Sequence, residues 1–402
     1  MLRLFSVLAL LALSCCIAPA GIRYLDLPSP EEGALHVVNF DVGQADATLI
    51  TYNGKSILFD CGSPNHAPEV AGQRIPRRLD ALLGKRHIDY FVITHYHQDH
   101  IGNPGRRKNS MRSRPAGIFS LLDREGVTIG TIIDRGAWVV GKPNATYAHY
   151  FRAVKRWIKE GKVGERRVAR PGDTINLGGN LKVDVIVASS NGVIDRLASL
   201  YPAFFKKNPP TENDYSVGLK LTLGDFELFG AGDLGGENIV RRFGPISSSY
   251  NDIESYISKD VGGIEVYRVN HHGSSHSSNA CFTEVMQPRV SVVSSGHNNP
   301  YKHPAADVYT RLKKYSDVFI TGGVAEKTRD TIPAIVNDVV GDDVEILVAP
   351  DGATYWVNGK RYHSRSEAEE EATATRSKVC TDTRLTQFKE DNFRHIKGRL
   401  GD

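Results

Sequence analysis

Short β-branched and aromatic runs recur along this chain, and several of them end in polar residues rather than fading into loops. Residues 34–40 and 47–52 alternate or run apolar as strands do, and Asn53-Gly54 before Ser56-Ile57-Leu58-Phe59 is a two-residue hairpin signal. The sheet therefore begins antiparallel. Residues 74–83 carry helical spacing and lead into Ile88-Asp89-Tyr90-Phe91-Val92-Ile93, which predicts a buried strand. Helices are predicted over 117–125 and 149–162, and strands over 127–134 and 181–188. Residues 190–210 hold Pro202, Pro209 and Pro210 and predict an irregular lid or rim. A second block follows: a hairpin of 216–223 and 226–230 across Gly224-Asp225, strands at 264–269 and 290–294, and a helix at 305–314. Residues 344–348 and 353–357, with turns at Asp351-Gly352 and Asn358-Gly359, predict a small β extension within 326–363. Residues 364–402 are charged and without apolar periodicity, as expected of a tail or a loosely packed helix.

The 402 residues suffice for one large α/β domain with an accessory piece. A net charge of +4, from 50 Lys and Arg against 46 Asp and Glu, is too mild to imply a nucleic-acid partner by itself. Residues 1–20 differ from the rest: Arg3, an apolar run over 4–17, then Ala18-Pro19-Ala20 read as a secretory signal, with an uncleaved N-terminal anchor as the other reading. The run is short for a membrane span, so the mature chain, with its main domain over 21–325, is expected to be exported. Beyond the leader remain Cys61, Cys281 and Cys380, which allow one internal bridge at most and exclude a disulfide scaffold.

The strand ends carry the chemistry. Thr94-His95-Tyr96-His97-Gln98-Asp99-His100-Ile101-Gly102 packs three imidazoles and a carboxylate into six residues, costly to hold together without a cation among them. Neutral imidazole and carboxylate suit zinc and similar divalent ions, with His95 and His97 aimed at one ion and Asp99 and His100 at a second. Asp60-Cys61-Gly62 closes another strand with a carboxylate that either forms a turn or orients a metal-bound imidazole. Three later strands deliver Ala231-Gly232-Asp233, Asn270-His271-His272-Gly273-Ser274-Ser275-His276, and Asn299-Pro300-Tyr301-Lys302-His303-Pro304. Chemistry borne on loops at the strand ends of an α/β framework commonly converges on one site. Arg106, Arg107, Lys108, Arg112 and Arg114 follow the histidine cluster and read as a solvated basic loop or as a clamp for phosphate groups.

Taken in order, the motifs Asp41-Val42-Gly43-Gln44-Ala45-Asp46-Ala47, Phe59-Asp60-Cys61-Gly62, the cluster at 95–102, Asn213-Asp214-Tyr215-Ser216-Val217, Ala231-Gly232-Asp233, His271-His272-Gly273-Ser274 and Asn298-Asn299-Pro300-Tyr301-Lys302-His303-Pro304 resemble the metallo-β-lactamase fold family. The resemblance is greatest to the branch that includes the hydrolase domain of ComEC-type competence proteins, and it covers residues 35–314. It implies an α/β fold, a four-layer αβ/βα sandwich, with a dinuclear site where two sheets meet. By the same resemblance His95 and His97 bind a first ion, Asp99 and His100 a second, and Asp233 bridges them. One of His271 and His272 is a further ligand, His272 being favoured because it directly precedes a glycine. Many family members supply another histidine to the first ion from a loop about twenty residues before the bridging Asp. Here that loop reads Glu212-Asn213-Asp214-Tyr215, which leaves Asn213 or Asp214 as the substitute, or the first ion weakly held.

Two zinc ions, or manganese, sharing a hydroxide would then make a hydrolase with Asp99 and Asp233 at its centre. His303 and His276 are candidates to hydrogen-bond a phosphoryl oxygen or protonate a leaving group. A phosphodiesterase or nuclease is the expectation, with DNA held by Arg106, Arg107 and Lys108. Lactone, thioester or amide hydrolysis is the alternative on the same framework, and a non-catalytic metal-binding secreted module is a third reading.

Overall fold

Along the first strands, successive side chains enter different cores. Val37, Ile50, Ile57 and Phe59 join one buried cluster, whereas their neighbours Val38, Leu49 and Leu58 join another. Strands apolar on both faces must be covered on both faces, which a layered α/β architecture provides. The computed structural model describes residues 32–63, 69–105, 115–137, 145–200, 202–207, 209–236, 242–243, 246–247, 252–297, 299–366 and 369. Residues 1–20, expected to be a leader, residues 106–114, expected to be a basic loop, and residues 370–402 of the expected tail lie outside the described residues.

Two sheets face each other. The first has nine strands, with Leu35–Asn39, Ala47–Tyr52 and Lys55–Cys61 antiparallel at its centre. His87–Val92, Thr128–Asp134 and Val163–Val168 then continue it in parallel. The second has six, in which Phe226–Gly230, Val266–Arg268, Val290–Val293 and Asp317–Ile320 are parallel neighbours. One cluster fills the space between the sheets, from Ile50 and Phe59 to Leu221, Phe226 and Val292. A second lies between the first sheet and the helices Glu69–Leu83, Ile118–Asp123 and Ala145–Lys159, through Leu79, Phe119 and Trp157. A third lies between the second sheet and Ile253–Val261, Ala280–Met286 and Ala306–Leu312, through Ile257, Phe282 and Leu312. Helix, sheet, sheet, helix: the architecture is the four-layer αβ/βα sandwich.

The β extension is built onto the first sheet. Val344–Val348 pairs antiparallel with Leu35–Asn39, and Thr354–Val357 and Lys360–His363 complete that edge. Arg365, just beyond, is buried, its backbone N–H donating to Glu265 at 3.1 Å. The stretch expected to be irregular holds two helices, Val193–Leu200 and Pro202–Lys207. Pro202 opens the second of them, where its missing N–H costs no helical hydrogen bond. Cys61 is buried and free, and Cys281 is disulfide-bonded.

Candidate metal centre

The histidine loop leaves the strand His87–Val92 where the two sheets meet, and close backbone approach holds it there. A Cβ on Gly62 would lie 1.6 Å from the Asp99 carbonyl oxygen, and one on Gly232 would lie 2.4 Å from Thr94 Oγ1. Only glycine at these positions lets the end of Lys55–Cys61 and the turn bearing Asp233 reach the loop. Between His95 and His97, the Tyr96 N–H donates to Glu212 Oε1 at 3.0 Å, and fully buried Arg135 grips both Glu212 oxygens at 2.6 and 2.7 Å.

Asp233 is the meeting point. Its Oδ2 lies 3.8 Å from His95 Nε2 and 3.4 Å from His271 Nε2, with His97 Nδ1 3.0 Å from His95 Nε2. Its Oδ1 lies 3.0 Å from His100 Nε2 and 3.8 Å from His272 Nε2. Asp99 Oδ2 is 3.4 Å from His272 Nε2. The chain thus brings His95, His97, Asp99, His100, Asp233, His271 and His272 together from three separate stretches. Candidate ligand atoms of His95, His97 and Asp233 fall within 4.8 Å of one another, as do those of Asp46, His100, Asp233 and His272.

The adjacent histidines divide between the two sets. Asn270–Gly273 is a single turn in which His271 and His272 both have left-handed backbone, with φ of 53° each. Such a conformation is uncommon for residues other than glycine, and here it sends consecutive rings to opposite oxygens of one carboxylate. His271 thereby lies on the Oδ2 side, where the sequence offered Asn213 or Asp214. Asn213 Nδ2 lies 3.4 Å from the same Nε2 that faces Asp233, whereas Asp214 Oδ2 is occupied by Thr211 N–H and Oγ1 at 2.7 and 3.0 Å.

Behind the second set is a buried charge network. Asp60 Oδ2 accepts from Thr94 Oγ1 and from His100 Nδ1, each at 3.0 Å, and its Oδ1 accepts from Thr94 N–H at 2.9 Å. Arg268, 2 % exposed, places Nη2 3.1 Å from Asp46 Oδ2 and 3.2 Å from Asp60 Oδ2, with its guanidinium 4.6 Å over the Phe59 ring. His272 Nδ1 donates to the Ser294 carbonyl at 2.8 Å. Both His100 and His272 therefore hold their protons on Nδ1 and turn Nε2 inward, as a metal-bound imidazole does. Asp46 and Arg268 are members that the sequence reading did not assign. Asp46 lies in the quoted run 41–47, while a single Arg in an otherwise apolar strand gave no sign of its partners.

A divalent cation fits this donor set. Asp46 Oδ1, His100 Nε2, Asp233 Oδ1 and His272 Nε2 are buried, converge on one another, and have no hydrogen-bond partner outside this group. Buried polar atoms rarely go unsatisfied, so their convergence calls for an ion. Burial alone would drive the proton off His272, yet the Asp46, Asp99 and Asp233 carboxylates raise it to about 9. Burial and the neighbouring His100 instead push His95 well down. Burial raises Asp233, but His271 and His100 outweigh this and hold it ionised well below the usual carboxylate range.

The centre opens into a cleft of about 480 Å³ lined by Gln44, His97, Asp99, Asn213, Tyr301 and His303 among others. Gln44 Oε1 accepts from Gly296 N–H at 3.3 Å, so its amide nitrogen is the group that donates to His303 Nδ1 at 3.1 Å. His303 then carries its proton on Nε2. Burial, with His272 and His271 nearby, lowers its pKa to about 3, so the ring is neutral. His276 lines an adjoining pocket rather than the metal cleft.

A family model described as "Metallo-beta-lactamase superfamily" matches residues 40–104. Competence protein ComA of Neisseria gonorrhoeae is 25% identical over 297 residues, covering 73% of this chain and 32% of the relative. Ribonuclease Z of Clostridium beijerinckii is 36% identical over 85 residues, or 20% of this chain and 24% of the relative. Among solved structures, the metallo-beta-lactamase fold protein YhfI from Bacillus subtilis aligns with a TM-score of 0.39 and 12% identity over 71% of this chain and 96% of that one. The chain spans about a third of the length of the competence relatives it matches. The matched residues run from the first hairpin through the histidine loop, and the later strands close the same centre, so in this part of its sequence and in its layered fold the chain is similar to the metallo-beta-lactamase superfamily.

Proposed function

We propose that this hydrolase is an exported, two-metal phosphodiesterase acting on nucleic acid, with zinc or manganese as its ions. The observation that carries the reading is one carboxylate, Asp233, whose two oxygens face two sets of imidazoles at the floor of an open cleft. His95, His97, His271 and Asp233 would hold one ion, and His100, His272, Asp233 and Asp99 or Asp46 the other. Bound there, the pair supplies Lewis acidity and a water whose pKa is brought toward neutrality. The chain's own part is positional. Asp60 and the Ser294 carbonyl fix the tautomers of His100 and His272. His303, neutral and protonated on Nε2, offers a hydrogen-bond donor in the cleft wall to a phosphoryl or leaving-group oxygen. No protein side chain needs to act as nucleophile.

The likeness to a ribonuclease and to a competence protein supports a phosphodiester substrate. Export rests on the sequence of residues 1–20, and a DNA clamp on Arg106, Arg107 and Lys108. The deciding experiment offers the purified protein bis(p-nitrophenyl) phosphate, single-stranded DNA, a lactone and a cephalosporin, with and without chelator. Chelator-sensitive cleavage of the first two is expected. Cleavage of the carbonyl substrates alone would overturn the reading, and no cleavage with any divalent ion would leave a binding module.

A further inference from the structure

Three rings lead outward from the metal centre. His272 and His303 lie nearly parallel, centroids 5.9 Å apart at 22°, and His303 and Tyr301 follow at 5.8 Å and 26°. The first two are buried, whereas Tyr301 is 63% exposed, the most exposed large apolar side chain among the described residues. Side-chain contacts hold the loop that presents it. Asn299 Nδ2 donates to the Gly296 and His303 carbonyls at 3.0 and 2.7 Å, its Oδ1 accepts from His303 N–H at 2.8 Å, and Thr328 Oγ1 donates to the Lys302 carbonyl at 3.2 Å. The ring is thus a braced platform at the rim of the cleft.

Beyond this wall is a second pocket, of about 500 Å³, which shares His271, Tyr301 and His303 with the metal cleft. Lys302 and Lys327 line it, both exposed, and neither ammonium group makes an ion pair or side-chain hydrogen bond within the described residues. Asp307, the acid in its lining, is engaged by Arg311 at 3.4 Å. Two uncommitted cations next to an open aromatic face match the repeating chemistry of a single nucleic-acid strand, phosphate beside base.

We infer that this second pocket is a subsite for the nucleotide adjoining the scissile phosphate, with Tyr301 stacking its base and Lys302 and Lys327 taking its phosphates. The inference rests on the phosphodiesterase reading and narrows it to single-stranded substrates that extend past the metals. It also gives the loop after Val290–Val293 a role in binding as well as in presenting His303.

The test measures fluorescein-labelled hexathymidylate binding to the metal-free full chain by anisotropy across a salt series, alongside bis(p-nitrophenyl) phosphate hydrolysis by the metal-loaded protein. Tyr301→Ala should weaken binding about tenfold or more, and Tyr301→Phe should restore it, since stacking needs the ring and not the hydroxyl. The double variant Lys302→Gln/Lys327→Gln should lower the slope of log affinity against log salt by about 1.4, two phosphate contacts' worth on a single strand. Its loss of turnover on hexathymidylate should exceed its loss on the small ester at least fivefold. An unchanged salt slope, Tyr301→Ala binding within twofold of wild type, or equal losses on both substrates would overturn the subsite. A protein that hydrolyses the small ester but does not bind the oligonucleotide refutes the subsite alone. Binding lost in the variants of a protein that hydrolyses no phosphodiester refutes the parent reading and keeps the subsite.

Discussion

The two oxygens of Asp233 look onto unlike surroundings. Around Oδ1, His100, His272, Asp46, Asp60 and Arg268 are all at most 2% exposed, and the outer ring nitrogens of His100 and His272 are held by a carboxylate and a carbonyl. Around Oδ2, His95 is buried, but His97 and His271 line the cleft, and the neutral Asn213 approaches His271 on the same Nε2 that faces Asp233. One side is a preorganised, low-dielectric cage and the other a set of imidazoles at a solvent boundary. Charged ligand partners raise ligand basicity, and burial slows ion exchange, so the Oδ1 side should hold its ion firmly and the Oδ2 side exchange it.

The sharpest way to break this contrast is Asp233→Asn, which removes charge from both sides. Hydrolysis should fall at least about a thousandfold, with metal content by elemental analysis falling on both sides. An Asp233→Asn protein that still binds two ions would show that the carboxylate does not join them. Next in size is Arg268→Met, which strands Asp46 and Asp60 without a cation. It should cost about 3–5 kcal/mol of folding stability in chemical denaturation, because breaking a buried pair leaves uncompensated charge. A loss within 1 kcal/mol, on the order of a surface substitution, would mean the network contributes little. Asp60→Asn and His271→Ala sharpen the comparison directly. Asp60→Asn should weaken the tighter of two metal-binding steps in calorimetry by about 10–100-fold, as loss of a group behind a ligand does. His271→Ala should abolish the weaker step and leave the tighter one. If each substitution altered the same step, the division of labour between the two oxygens would fail.

A pH dependence also acts beneath both sides. Glu254 is buried and accepts from Asn279 N–H, Asn270 Nδ2 and Ser278 N–H at 2.8–2.9 Å, yet burial outweighs these donors and lifts it from 4.5 to about 7. Asn270 in turn accepts from Ala231 N–H, so Glu254 supports the turns bearing Asp233 and His271. A carboxyl raised in the folded state is protonated in both states below about 4.5 and carries its full penalty above about 7. Its contribution therefore makes the fold less stable as pH rises through that window, by at most about 3 kcal/mol. Glu254→Gln should flatten the stability profile of the metal-free protein between pH 5 and 8 relative to wild type. An unchanged slope would show that Glu254 stays ionised there.

The two sides also differ in how far the sequence disclosed them. The loop at 95–102 could be read directly, because its donors lie within six residues and composition alone makes such a cluster improbable. Asp233 and the pair at 271–272 could be placed at strand ends, but their allotment could not. It depends on the left-handed φ of two adjacent non-glycine residues, which no propensity foretells. Arg268 escaped because its partners Asp46 and Asp60 are more than two hundred residues away. The strand Val163–Val168 escaped for another reason: it is an edge strand whose sequence, VGERRV, is half exposed and gives no apolar run. Near-continuous apolar runs disclosed the central strands because both of their faces are buried.

The turn at 270–273 has one more implication. Because neighbouring residues on a single short hinge supply both halves of the centre, neither half can be displaced without the other. Any ligand that presses on this stretch of backbone, whether product or inhibitor, moves both grips at once, as a fulcrum does. Such a ligand should therefore weaken both metal-binding steps, not the weaker one alone.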